Sequence, residues 1–368
     1  MENIIELFNS VLAKGVETNV SDIHLCVGSS WKYRIHGHIQ TIDNIKPLQM
    51  AECEAIVKHI LLNTPRVSEE DIDKTMNSLQ DHDCSYMLAG ISRFRVNICR
   101  QRGSFSVVLR VIPFSIPTID SLGLPDVIKQ ISLKERGLIL VTGVTGSGKS
   151  TTLASMVNMI NETKPCKIVT IEDPIEYLHR EIKASIIQRE VGFDTDSFAI
   201  ALRAALRQDP DVILVGEMRD TITIEIALKA AETGHLVMST LHTQDAPKTI
   251  HRIISAFELS EQQAVRIRLA DALQAVISQR LLRRKDSTGR VAVLEVMCNT
   301  LTIKDCIENP DKTDSIKDYM KSGRDQYGMQ TFDQHLMDLF SQGVVDLETA
   351  KAAATSASDF ERNVLFTT

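Results

Sequence analysis

Eight consecutive residues, Gly143-Val144-Thr145-Gly146-Ser147-Gly148-Lys149-Ser150, have the spacing G-x-x-x-x-G-K-[ST]. Glycines at these positions let successive backbone N–H groups curl around phosphate oxygens. A helix beginning at the end of the run adds the positive end of its dipole. A lysine here reaches β- and γ-phosphates, and the hydroxyl that follows it binds Mg²⁺. The set expected to hold nucleotide is therefore Gly143, Thr145, Gly146, Ser147, Gly148, Lys149, Ser150 and Thr151, with ATP and Mg²⁺ as the implied ligands.

Three more polar clusters follow short apolar runs, and in α/β sheets ligands gather at the carboxyl ends of strands. Glu172-Asp173-Pro174 follows Ile168-Val169-Thr170-Ile171. A carboxylate there either polarises the water that attacks a γ-phosphate or is an acidic turn that stops a strand before proline. Glu217 follows Val212-Ile213-Leu214-Val215-Gly216, the arrangement that organises Mg²⁺ and its waters. His235 and His242 bracket Leu236–Thr240 and stand too far apart to hold one metal; His242 reads as a γ-phosphate sensor or as a solvated loop histidine. Arg93, Arg95, Arg100, Arg102 and Arg110 form either a solvated basic face or a source of positive charge for a nucleotide held by another domain or subunit. His24, His36 and His38 have no fitting fourth ligand and read as turn or surface histidines.

The elements that must position these residues are legible in part. Strands are expected at Leu138–Thr142, Lys167–Ile171, Val212–Val215, Leu236–Thr240 and Val291–Val296, with helices at Ser150–Asn161, Ser197–Arg207, Thr221–Thr233 and Glu261–Leu281. Alternation of this kind predicts an α/β fold with a mostly parallel sheet. Upstream, a helix carries Ile4, Ile5, Phe8, Val11 and Leu12 and is expected to end at Gly15; a strand starts at Ser21–Leu25, and a helix covers Met50–Leu62. Strands at Cys84–Leu88, Arg93–Arg100 and Phe105–Ile112 complete a small α+β domain. Three prolines, Pro113, Pro117 and Pro125, mark a linker. The expected limits are 1–112 for the N-terminal domain, 113–125 for the linker and 126–368 for the second domain, whose polar helical end runs from about 300 to 368.

The chain has 368 residues, 43% hydrophobic and 24% charged, as in an ordinary globular protein, and its net charge of −7 weighs against a dedicated nucleic-acid binder. The seven scattered cysteines contain no C-x-x-C pair and read as reduced thiols. The opening Met1-Glu2-Asn3 is acidic, no cleavage site follows the first apolar stretch, and no apolar run is long enough to cross a bilayer. A cytoplasmic protein without direct membrane insertion is expected.

Taken together, Ser21–Leu25, Arg93–Asn97, the phosphate loop, Thr170–Glu176, Gln188–Val191, Asp209–Asp220 and Ala231–Thr243 resemble the type IV pilus retraction ATPases (the PilT-like family) of the hexameric secretion-ATPase superfamily. The resemblance runs from near the N-terminus to about residue 300. It implies a PAS-like first domain, a RecA-like second domain, a homo-hexameric ring and an inner-membrane platform protein as partner, with the motor at the inner face of that membrane. It assigns Glu172 as the catalytic glutamate, Glu217 to the metal-organising strand end, and His235 and His242 to a histidine box. Arg95 and Arg110 match the two first-domain arginines that approach the nucleotide. The chain departs from the family at Thr302-Ile303-Lys304-Asp305-Cys306-Ile307, where retraction ATPases typically carry Ala-Ile-Arg-Asn-Leu-Ile, a motif associated with retraction more than with hydrolysis. Alternatives left open are an accessory or paralogous motor, a type IV secretion ATPase and, from another class, a RecA-like DNA translocase.

Overall fold

The computed structural model describes residues 2–35, 37–64, 67–112, 115–286 and 289–367. His36 and Pro113 lie outside the described residues. The chain divides into two compact units: residues 1–115 with 173–178 and 190–196, and the remainder, 116–172, 179–189 and 197–368.

The first unit contains α1 (Glu2–Glu17), β1 (Asp22–Cys26), β2 (Lys32–Ile35), β3 (His38–Thr41), α2 (Met50–Leu62), α3 (Ile72–Ser78), β4 (Asp81–Leu88), β5 (Ser92–Gln101) and β6 (Ser104–Ile112). Its six strands form a sheet in the order β3-β2-β1-β6-β5-β4, antiparallel throughout. Alternation along β5 and β6 turns Phe94, Val96, Ile98, Val107 and Leu109 inward, where they join Phe8, Leu12, Ile56 and Ile60 of the helices. Gly15 does not end α1, contrary to the sequence expectation. A side chain there would lie 3.1–3.2 Å from Val20, Ile23 and Tyr33, so this glycine permits close packing while the helix runs on to Glu17.

The second unit follows with α4 (Val127–Ser132), β7 (Gly137–Thr142), α5 (Lys149–Thr163), β8 (Lys167–Glu172), β9 (Ser185–Glu190), α6 (Phe198–Ala205), β10 (Val212–Val215), α7 (Thr221–Glu232), β11 (Leu236–Leu241), α8 (Ala246–Ile254), α9 (Gln262–Ala272), β12 (Leu273–Arg283) and β13 (Arg290–Cys298). The seven strands are ordered β13-β12-β7-β11-β10-β8-β9. From β12 to β8 the pairing is parallel, and β13 closes one side antiparallel to β12. β7, β10 and β11 are buried along their whole length, which is why they read as unbroken apolar runs. Ile119 and Leu124, inside the expected linker, are buried in this unit's core.

The helix expected over Glu261–Leu281 is two elements. α9 stops at Ala272, and the chain passes directly into β12, which pairs with the strand leading into the phosphate loop. Beyond β13 the chain is helical: α10 (Leu301–Glu308), a 3₁₀ turn (Pro310–Ser315), α11 (Ile316–Ser322), α12 (Arg324–Tyr327), α13 (Phe332–Ser341), α14 (Leu347–Ala353) and α15 (Ala357–Thr367). Phe332, Leu336, Val345, Ala350 and Phe360 seal this segment onto Val291 and Val293 of β13.

Candidate active site

β7 ends at Thr142, α5 begins at Lys149, and the six residues between them form the phosphate loop. Gly143, Gly146 and Gly148 have φ of +142°, +76° and +91°, a region that side chains other than glycine rarely adopt. Two of them are also sterically fixed. A Cβ on Gly143 would sit 2.4 Å from the Gln279 carbonyl, and one on Gly148 would sit 2.8 Å from Gln279 Nε2. The loop therefore lies pressed against β12.

Lys149 is buried, and its Nζ donates to the carbonyls of Gly143 and Val144 at 2.9 and 3.1 Å, closing the loop on itself. The Ser147 hydroxyl is buried with no hydrogen-bond partner among the described residues. A buried hydroxyl without a partner costs about 1–3 kcal/mol, and here it lies against the Gly143 backbone, in the loop whose carbonyls Lys149 holds. Those are the surroundings a phosphate oxygen satisfies. Ser150, in the first turn of α5, supplies the hydroxyl suited to a metal bound beside that phosphate.

Parallel register brings the other strand ends to the same edge. Leu241 pairs with Thr142, Val215 with Ser239, and Ile171 with Val215, so Glu172, Glu217, His242 and the phosphate loop follow adjacent strands. Glu172 accepts from the Thr170 hydroxyl at 2.6 Å and from Gln188 Nε2 at 3.3 Å. Gln188 is itself held, because its Oε1 accepts from the backbone N–H of His179 at 2.9 Å. Burial pushes the His179 imidazole down to about 4, so it stays neutral. Glu217 accepts from Arg219 Nε at 2.7 Å, and His242 Nε2 stands 3.7 Å from the same oxygen. The turn carrying Glu217 is tied to β11: the Ser239 hydroxyl donates to the Val215 carbonyl and the Thr240 hydroxyl to the Gly216 carbonyl.

His235 is not brought to this edge. It precedes β11 and lies at the opposite end of the sheet, about 20 Å along the strand by its rise, where its Nδ1 is 2.9 Å from the Ala230 carbonyl. The chain reverses nothing between His235 and His242, so a shared role at one phosphate of the same chain is ruled out by the strand itself. Arg95 and Arg110 face each other across β5 and β6 in the first unit, both exposed. Arg110 Nε is bound to Asp22 at 2.9 Å, whereas Arg95 makes no ion pair among the described residues.

Sequence reasoning passed over Gln279 and Glu295, and it gave Gln188, which opens the family-matching stretch Gln188–Val191, no role of its own. Glu295 had a visible signal: a lone acid within the apolar run Val291–Val296. Gln279 offered none, and the stretch holding Gln188 signalled the family but not the side chain's role, because both glutamines matter through what β9 and β12 lie beside.

Comparison with known proteins places these features in a family. The family model described as "Type II/IV secretion system protein" matches residues 1–355. The type IV pilus retraction ATPase PilT of Pseudomonas aeruginosa is 43% identical over 350 residues, spanning 95% of this chain and 98% of that protein. The type IV pilus ATPase PilU of the same organism is 38% identical, spanning 96% and 90%. Among solved structures, that of the pilus retraction motor PilT with bound ADP superposes with a TM-score of 0.86 at 44% identity, covering 96% of this chain and 98% of the other. The chain belongs to the type II/IV secretion system protein family.

Proposed function

We propose that this protein is a Mg²⁺-dependent ATPase that powers retraction of a type IV pilus. The observation that carries the reading is the phosphate loop with its buried, unpartnered Ser147 hydroxyl, set in a chain 43% identical to a retraction ATPase along nearly its whole length. In this reading Lys149 leaves the loop carbonyls to meet the β- and γ-phosphates. The Ser150 hydroxyl and Glu217 would hold Mg²⁺, which would supply positive charge beside the transferring phosphoryl group. Glu172, oriented by Thr170 and Gln188, takes the proton of the attacking water. His242, within reach of Glu217, reads whether the γ-phosphate is present.

The second unit is then a RecA-like core and the first a PAS-like module. Arg95 and Arg110 act on a nucleotide held by a neighbouring subunit of a homo-hexamer. The partner is an inner-membrane platform protein, met at the cytoplasmic face of that membrane, and no described helix is long and apolar enough to cross it. Nucleic acid is not the substrate, in keeping with a net charge of −7. A specific observation favours a second reading, an accessory motor: the altered residues Lys304, Asp305 and Cys306 in α10.

The test is phosphate release together with twitching in a strain that lacks its own retraction motor. ATP turnover that disappears in Lys149→Ala supports the hydrolytic assignment; turnover kept by Lys149→Ala contradicts it. Restored twitching supports a self-sufficient retraction motor, and turnover without twitching supports the accessory reading.

A further inference from the structure

A carboxyl group lies buried behind the phosphate loop, and the mechanism above does not use it. Glu295, in the middle of β13, is 3% exposed. Its Oε1 accepts from the backbone N–H of Ala246, the first residue of α8, at 2.9 Å. The same oxygen lies 3.4 Å from the Ser278 hydroxyl of β12, and Ser278 Oγ accepts from the Thr142 hydroxyl at 3.0 Å. Thr142 is the last residue of β7, immediately before Gly143. Ala246 comes four residues after His242. One buried chain of hydrogen bonds thus joins the foot of the phosphate loop to the helix that continues the His242 loop.

Both ends of this chain are firmly built. Thr152, in the first turns of α5, donates to Gln279 Oε1 at 2.8 Å, so β12 grips the phosphate loop at the residue next to Ser278. At the other end Asp245 caps α8 by accepting from Lys248 N at 2.9 Å, and Lys317 of α11 donates to Asp245 at 3.0 Å. The C-terminal helices are therefore attached to the same junction.

We propose that Glu295 is a positioning residue for ATP hydrolysis, coupling the foot of the phosphate loop to the first turn of α8 so that the loop and His242 shift together. A neutral side chain at 295 keeps an acceptor for Ala246 and Ser278. An ionised one draws both donors in more strongly, since hydrogen bonds to a charged acceptor are about twice as strong, and it faces the positive end of α8. The charges acting most directly on it are Asp245 at the start of α8, Lys317 of α11 and Arg280 of β12. The cavity it lines is also bordered by Lys248 of α8, Asp318 and Lys321 of α11, Arg324 of α12, and Asp359 and Arg362 of α15. From α13, Asp333 lines the same cavity, while His335 is committed to Leu294 N at 2.9 Å. Burial dominates this balance and Asp245 reinforces it, lifting Glu295 to about 7 against the opposing pull of the Ala246 bond, Lys317 and Arg280. The coupling is thereby placed in the range where proton occupancy changes near neutrality.

The inference rests on the assignment of hydrolysis to this edge, so its test reads ADP affinity as well as turnover. Wild-type protein, Glu295→Gln and Glu295→Ala are compared from pH 5.5 to 9 for kcat, KM and the Kd of a fluorescent ADP analogue. The wild type is expected to show an inflection near pH 7 in both kcat and Kd. Glu295→Gln, which keeps the acceptor and cannot ionise, should lose the inflection while retaining turnover within about threefold at pH 8, whereas Glu295→Ala should fall about tenfold in kcat/KM. Ser278→Ala should add nothing further to Glu295→Ala, because both cut the same chain. A wild-type profile without the inflection, an inflection kept by Glu295→Gln, or wild-type kinetics in Glu295→Ala overturns the proposal. Should Glu295→Ala fail to fold, Glu295→Gln alone decides. A wild type that binds ADP with the inflection yet releases no phosphate would refute the hydrolytic reading and leave the coupling standing.

Discussion

Two regions of the second unit meet the same family pattern in opposite ways. At the carboxyl edge of the sheet, the phosphate loop, Glu172, Glu217 and His242 keep the residue types that nucleotide chemistry requires, and backbone register alone brings them together. In α10 the two isoleucines of that pattern persist while the other four positions are replaced. Ile303, Cys306 and Ile307 are buried, whereas Lys304 and Asp305 face outward, Lys304 bound to Asp271 and Asp305 to Lys312 at 2.7 Å. The departure therefore has two parts: a smaller thiol where the family has leucine, and rewritten polar residues on the surface, Thr302 among them. The side-chain hydrogen bonds of α10 reach α9 and the 3₁₀ turn. The residue types expected at the nucleotide edge are kept, and the departure from the family pattern lies in α10.

The largest effect that sharpens this contrast comes from the first unit. If Arg95 serves a neighbouring subunit's nucleotide, Arg95→Ala should lower turnover by about 10³–10⁵, as for other arginine fingers. Arg95→Lys should rescue poorly, because an ammonium lacks the forked donors. Arg110→Ala should cost less, since Arg110 is already engaged by Asp22. Mixed rings of Lys149→Ala and Arg95→Ala subunits should recover part of the activity; mixed rings that assemble and stay inactive would show that Arg95 acts within its own chain or only in the fold.

A smaller effect concerns stability at the buried carboxyl. Unfolded, Glu295 ionises near its ordinary 4.5; folded, near about 7. Between those values the folded state holds a proton that the unfolded state has released, so this group's contribution is intact below pH 4.5 and is lost as pH rises through 7. Glu295→Gln removes that loss. It should stabilise the protein by about 1–3 kcal/mol at pH 8 and by nothing at pH 4, measured by denaturant unfolding. An equal gain at both pH values would mean that ionisation is not the cause.

The smallest effect on catalysis is expected in α10. Lys304→Arg with Asp305→Asn should leave hydrolysis within about twofold, as for surface substitutions; arginine can still pair with Asp271, and the lost Asp305–Lys312 ion pair should cost no more than about 1 kcal/mol. The same protein should improve twitching in a strain without its own motor. A tenfold change in hydrolysis, or no change in twitching, would erase the distinction between the two regions.

Much of this was legible in the residues. The continuous runs at Leu138–Thr142, Val212–Val215 and Leu236–Thr240 become strands because central parallel strands bury both faces, and each leads within two residues to a residue proposed for the site. Legibility failed where no glycine or proline separates elements. Ala272 passes straight into Leu273, so α9 and β12 read as one helix, and with β12 went the wall behind the phosphate loop. α8 escaped notice although Asp245 and Pro247 form a helix-start signal, because its apolar stripe is only nine residues long. Gly15 illustrates the reverse error: the residue type was read as a stop when the tertiary neighbours Val20, Ile23 and Tyr33 required its small size. The family resemblance supplied roles for His235 and His242 together, and the parallel strand between them sets the pair at opposite edges.

The measurement closest to the central claim is a paired determination of ATP affinity and steady-state phosphate release in Glu172→Gln. Glutamine keeps the size of the side chain and can still meet Thr170 and Gln188, but it cannot take a proton from water. Affinity should stay near the wild-type value while turnover falls by about 10²–10⁴, the range for a positioned general base. Phosphate release at the wild-type rate, with ATP bound as before, would contradict the assignment of hydrolysis to this edge of the sheet.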